Sequence, residues 1–277
     1  MRDFNIAIIL MLMISCGKSS TGNPSEEEPP VDPPKEGPVV KLMSYNIHIS
    51  NPPSRPTDFR DLKAIAKVIN LNKPDLVALQ EVDNKTNRSG STVDQAQELA
   101  RLTGMYVFYT KAIDYQGGEF GDAVLSRFPI IEKVRYELPV TQELGGETRS
   151  VAMIKVEKDG KQFWFASTHL DHLGDERNRI LQAKELNKIL KALTLPIIIA
   201  GDLNSQPNSE TISILKQELT NTCLTGCPNT FPYNNPTRII DYIMFKNKDS
   251  FRVKSHRVIN ETYASDHLPL IAELEVL

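Results

Sequence analysis

The run Pro196-Ile197-Ile198-Ile199-Ala200 constrains the fold more than any other stretch of the chain. It is apolar and β-branched but too short for a helix, so it reads as a strand buried on both faces. It empties directly into Gly201-Asp202-Leu203-Asn204. On a nearly extended chain Asp202 and Asn204 point to the same side, and Gly201 lets another backbone approach closely. A carboxylate that can take a proton, beside a carboxamide that can donate hydrogen bonds, suits attack of water on phosphorus. A turn at a strand's end would show the same four residues.

The same arrangement recurs along the chain. Strands are expected over 39–48, 75–82, 105–113, 122–126, 130–138, 150–157, 162–169, 238–245, 251–259 and 270–277. Helices are expected over 58–72, 92–103, 175–193 and 208–219, from apolar residues at helical spacing and from Thr92 and Asn208 as caps. Asn46, Glu81, His169, Asp202, Asn204, Asp241, Asp266 and His267 all fall at or beside strand ends. Carboxylates and amides without cysteine describe a site for a hard cation, Mg2+ or else Mn2+ or Ca2+. Two histidines beside them offer protons near neutral pH. Trp164, mid-strand, is expected in the core, and His256 is read as structural.

With 277 residues, 40% of them apolar, the chain has material for one well-buried domain. The net charge is −3. Arg2, Lys18 and Lys35 against Asp3, Glu26, Glu27, Glu28, Asp32 and Glu36 account for all of it, so the remainder is neutral. A neutral domain lacks the basic excess on which non-specific nucleic-acid binding rests. Cys223 and Cys227 could close a small disulfide loop or stay two buried thiols.

Residues 1–15 read as a signal peptide. The apolar stretch Phe4–Ile14 is about half of what a membrane-spanning helix needs and stands behind Arg2. Met13-Ile14-Ser15-Cys16 resembles the lipobox of bacterial lipoproteins, which implies cleavage before Cys16, a lipid on that cysteine and a place in the cell envelope, periplasmic or surface-exposed. Residues 16–37, proline-rich and acidic, cannot bury enough surface to fold and read as a tether reaching on the order of 60 Å. The domain is expected over 38–277, as a monomer.

The motifs Ser44-Tyr45-Asn46-Ile47-His48, Leu79-Gln80-Glu81-Val82-Asp83, Gly121-Asp122-Ala123-Val124-Leu125-Ser126-Arg127, Ser167-Thr168-His169-Leu170-Asp171, Gly201-Asp202-Leu203-Asn204, Ile240-Asp241-Tyr242-Ile243 and Ser265-Asp266-His267 stand in an order that resembles the endonuclease/exonuclease/phosphatase superfamily, the fold of pancreatic deoxyribonuclease. The resemblance implies an α/β four-layer sandwich: two mixed β-sheets packed face to face, with helices outside. It implies a metal-dependent phosphoric ester hydrolase in which Glu81 binds the metal with Asn46 beside it and Asp266 tunes or extends that site. Asp202 would activate water, Asn204 and His267 would bond the phosphoryl oxygens, and Asp241 would fix the tautomer of His267. His169 would contact the phosphate or assist the leaving oxygen, and Arg149 matches a phosphate contact more loosely, with a structural salt bridge as the alternative. His48 and His172 line the site without a role from the family. No arginine- and lysine-rich insertion for duplex DNA is present. The expected substrate is therefore a lipid, inositol or other small phosphoester, with a secreted scavenging nuclease as the alternative and, behind it, a non-catalytic binding protein that keeps the fold.

Overall fold

The computed structural model describes residues 37–277; the expected leader, lipidated cysteine and most of the tether lie outside them. The elements are β1 (Val39–Asn46), α1 (Leu62–Asn72), β2 (Leu76–Asn84), α2 (Gln95–Thr103), β3 (Tyr106–Tyr115), β4 (Gly118–Ser126), β5 (Glu132–Leu138), β6 (Arg149–Lys158), β7 (Lys161–His169), α3 (Arg177–Ala192), β8 (Ile197–Asp202), α4 (Glu210–Leu215), β9 (Thr220–Asn221), β10 (Asp241–Lys246), β11 (Phe251–Val258) and β12 (Leu270–Val276). One sheet runs β11-β12-β1-β2-β4-β3 and the other β5-β6-β7-β8-β10-β9. Both are mixed: β1 pairs parallel with β2, and β7 parallel with β8, among otherwise antiparallel neighbours.

Three apolar layers follow from the alternation of side chains along the strands. Leu42, Ala78, Val124 and Leu274 of the first sheet meet Phe165, Ile198, Ala200 and Ile243 of the second. On the first sheet's outer face, Met43, Val77 and Leu79 pack on Ile65 and Ile69 of α1 and Leu99 of α2. On the second's, Met153, Ile199 and Met244 pack on Leu186 and Leu190 of α3 and Ile212 of α4, and Trp164 joins them in the core. The four-layer sandwich is the architecture expected.

The helices begin later than read. α1 starts at Leu62 rather than 58, capped by Asp61, which accepts from Ala64 N at 2.9 Å, and Asp94, not Thr92, caps α2 by accepting from Gln97 N. Ser209 caps α4 in place of Asn208, and α4 ends at Leu215. β10 starts at Asp241, because Arg238 pairs instead with Phe231 across a short loop. β1 stops at Asn46, where the chain turns into a single 3-10 turn, His48–Ser50. Cys223 and Cys227 are joined as a disulfide.

Candidate active site

Topology gathers the polar strand ends. In the parallel pairs Asn46, the last residue of β1, lies opposite Gln80, next to Glu81, and His169, the last of β7, lies opposite Asp202, the last of β8. β10 runs antiparallel to β8, so its first residue, Asp241, also pairs with Asp202. The approach to β12 brings Asp266 and His267, tied to β1 by Ser265 Oγ donating to Asn46 O at 2.7 Å. Gly201 is required here: a Cβ on it would lie 1.9 Å from Thr168 O.

Asn46 spans the two sheets. Its Oδ1 accepts from His48 N, and its NH2 group donates to Glu81 Oε1 at 2.9 Å and to Asp202 Oδ2 at 3.1 Å. It braces two acids, leaving its oxygen one lone pair for an ion. Glu81 sits at a bulge in the β2–β4 pairing with φ +58, a left-handed conformation costly for a side chain of this kind. That conformation turns it into the cavity at the strands' mouth.

Around Asp202 the donors converge. Its Oδ1 accepts from Asn204 N at 2.9 Å, and its Oδ2 lies 3.6 Å from both His169 Nε2 and His267 Nε2. Burial, with the charge of Asp241 added, pushes the Asp202 carboxyl up from its ordinary value, against His267 and the hydrogen bonds of Asn204 and Asn46. For His267 burial acts downward, but Asp241 and Asp202 outweigh it and the imidazole is held protonated. Asp241 fixes it through Nδ1, at 3.0 and 3.2 Å from its two oxygens, leaving Nε2–H aimed at Asp202.

His169 is the opposite case. Burial first, then the positive charges of Arg149, His267 and His172, keep it neutral. Asn204, at φ +48, places its side-chain nitrogen 2.9 Å from His169 Nε2 and 3.0 Å from Leu170 O. Arg149, 2% exposed, reaches Glu147 at 3.0 Å, His169 Nδ1 at 3.3 Å and His172 Nδ1 at 3.1 Å. His48 reaches Asp266 at 3.9 Å. His256 lies apart, bonded to Thr222.

The cavity above these groups encloses about 350 Å³. Glu81, Arg149, His169, Asp202, Asn204, Asp266 and His267 of the expected set line it. Asn46 and Asp241 stand behind, fully or almost fully buried. Also on its walls are Arg88, Tyr115, Phe120, Glu147, Phe231 and Arg238, none of them singled out as a site residue from the sequence.

A hard divalent cation suits this donor set. Asp202, Asp241 and His267 form a buried group whose ligand atoms lie within 4.8 Å of one another. Glu81 and Asp266, on the wall of the same cavity, add carboxylate oxygens of the kind such a cation takes. Glu81 has only the Asn46 amide as hydrogen-bond partner and no salt bridge among the described residues, so a cation would complete a carboxylate that is otherwise under-compensated.

A model of the Endonuclease/Exonuclease/phosphatase family matches residues 43–267. The chain belongs to that family. Human Nocturnin is 25% identical over 205 residues, a match that spans 65% of this chain and 46% of that protein. Among solved structures, the endonuclease/exonuclease/phosphatase of Beutenbergia cavernae superposes with a TM-score of 0.70 at 24% identity, over 86% of this chain and 72% of its own. The Bacteroides thetaiotaomicron mannosyl-6-phosphatase Bt3783 does so at 0.65 and 22%, over 85% and 99%. At these identities the structural likeness speaks to the fold. The chain spans less than half the length of the nocturnins it matches.

Proposed function

We propose that the protein is a divalent-metal-dependent phosphoesterase that hydrolyses a small phosphoester, of lipid, inositol or another small alcohol, by direct attack of water. One observation carries the reading: a buried carboxylate, Asp202, faces a protonated histidine, His267, that a second carboxylate, Asp241, holds in place. Asp202, raised by burial, takes the proton of the attacking water. The Nε2–H of His267 and the amide of Asn204 meet the phosphoryl oxygens as charge builds, and each such donor accounts for roughly 10²–10³ in rate. Arg149, too buried to leave, holds His169 and His172 and offers the phosphate a fixed positive charge. Glu81 and Asp266, with Asn46 bracing the acids, would hold the cation, which supplies charge neutralisation at the phosphate when bound. The cavity's volume suits a small substrate, and mannosyl-6-phosphatase activity in a relative of the same fold is in keeping with one.

The sequence of residues 1–37 supports an envelope lipoprotein attached through Cys16, with the domain standing off the membrane on its tether. Labelling with radioactive palmitate that disappears in Cys16→Ser tests the anchor. For the chemistry, the purified protein is assayed with Mg2+, Mn2+ or Ca2+ and with chelator on bis-p-nitrophenyl phosphate, p-nitrophenyl phosphate and plasmid DNA. Metal-dependent cleavage of a small ester with plasmid left intact is expected. Rapid nicking of the plasmid would make it a scavenging nuclease, and silence on all three would sink the assignment.

A further inference from the structure

Two arginines on opposite walls of the reaction cavity lie over aromatic rings. On the first sheet's side, Arg88 stands 4.2 Å from the Tyr115 ring and 5.2 Å from that of Phe120. Its charge is already answered, because Nε and one terminal nitrogen each donate to the buried Asp83 at 2.9 Å. On the second sheet's side, Arg238 lies 4.6 Å over Phe231. No carboxylate among the described residues meets its guanidinium. Arg238 is nonetheless held: its backbone bonds Phe231 in both directions, which sets the two side chains directly across from one another.

The Phe231 ring also packs 4.7 Å from the His267 ring. One aromatic side chain therefore touches the imidazolium at the reacting centre and carries an unpaired guanidinium. Arg238 meets His267 only through the ring they share: no hydrogen bond or ion pair joins its guanidinium to His267, Asp202 or Asn204 among the described residues. A planar cation on an aromatic face, pre-ordered and exposed to the cavity, is suited to bidentate recognition of a carboxylate or phosphate.

Resting on the phosphoesterase reading, we infer that Arg238 on Phe231 is a specificity-determining pair that reads a second anionic group of the substrate. The substrate class is then a small phosphoester bearing a further phosphate or carboxylate beyond the scissile one. The wall of Tyr115, Phe120 and the neutralised Arg88 faces the body of the molecule and adds no competing charge.

The test measures competitive inhibition, at saturating metal, of whichever p-nitrophenyl ester the protein cleaves. Fructose 1,6-bisphosphate is compared with fructose 6-phosphate. In the unaltered protein the bisphosphate should bind at least ~10-fold tighter, an advantage that shrinks with added salt. In Arg238→Gln the ratio of the two inhibition constants should fall to about 2–3, and Arg238→Lys should restore part of it. A ratio near one in the unaltered protein, or a ratio unmoved by Arg238→Gln, would overturn the inference and leave the phosphoesterase reading standing. Failure to cleave either p-nitrophenyl ester would bring down both.

Discussion

Replacing Asp122 by asparagine should make the protein more stable at pH 8 and leave it little changed at pH 5. Asp122 lies on β4, 1% exposed, between the sheets. Its Oδ2 accepts from Ser150 Oγ at 2.7 Å, Ser150 Oγ accepts from Thr110, and Oδ1 meets no partner. Burial drives its pKa from 3.8 up to about 7, with Glu81 and Asp202 adding to the rise and Ser150 and Arg149 opposing it. The sign follows from proton counting. Between those two values the folded state binds more protons than the unfolded one, so the group's contribution is full below the unfolded pKa and is lost as pH rises through the folded one. At ~1.4 kcal/mol per pH unit the loss reaches about 4 kcal/mol by pH 8. Asparagine keeps an oxygen for Ser150 but sets an NH2 group where Oδ1 is unpartnered, which costs roughly 1–3 kcal/mol. The net gain at pH 8 is then about 1–3 kcal/mol, a shift of roughly 0.5–1 M in the urea midpoint at the m-values of ordinary domains. Urea unfolding followed by the fluorescence of Trp164, the single tryptophan and buried in the core, reads it directly. Parallel stability-versus-pH curves for the two proteins between pH 5 and 8, or a variant weaker at pH 8, would refute the reasoning.

Other perturbations bear on the site itself. Asp202→Ala and His267→Ala should each lower kcat by at least ~10³ with circular dichroism unchanged, and ordinary turnover in either would remove that residue from the mechanism. Chelation should abolish hydrolysis and Mg2+ or Mn2+ should restore it; activity that persists through exhaustive chelation speaks against the role given to Glu81 and Asp266. Gly201→Ala should destabilise the fold by roughly 3 kcal/mol or more, since the added methyl meets the Thr168 carbonyl and β7 and β8 must part; a melting temperature within a degree of the parent would show the backbone yields more cheaply.

The strands were legible where burial on both faces writes a continuous apolar run, as in Ile197-Ile198-Ile199-Ala200, and the site was legible because its polar residues interrupt or end such runs. The resemblance of motif order did the rest for Asn46, Glu81 and His267, since nothing local says that strand ends far apart in sequence meet. Helix starts were misplaced by one to four residues where several capping side chains stand close together, as Thr92 and Asp94 do. Asp122 read as an ordinary strand residue, because its meaning lies in Ser150 and Thr110 on other strands. Arg238 was hidden inside an expected strand that the Phe231 pairing cuts short. The disulfide stood open in the sequence because spacing alone cannot choose between a bond and two thiols.

Asn46 and Glu81 belong to one sheet and Asp202, His169 and Asp241 to the other, with Asn46 donating across the gap to Asp202. The proposed catalytic set is thus a lock with its two halves on separate doors. A slip of one sheet against the other by a fraction of a strand spacing, too small to expose the core, would pull base from brace. Loss of turnover under mild denaturant should therefore precede loss of secondary structure, making turnover a gauge of the seam between the sheets.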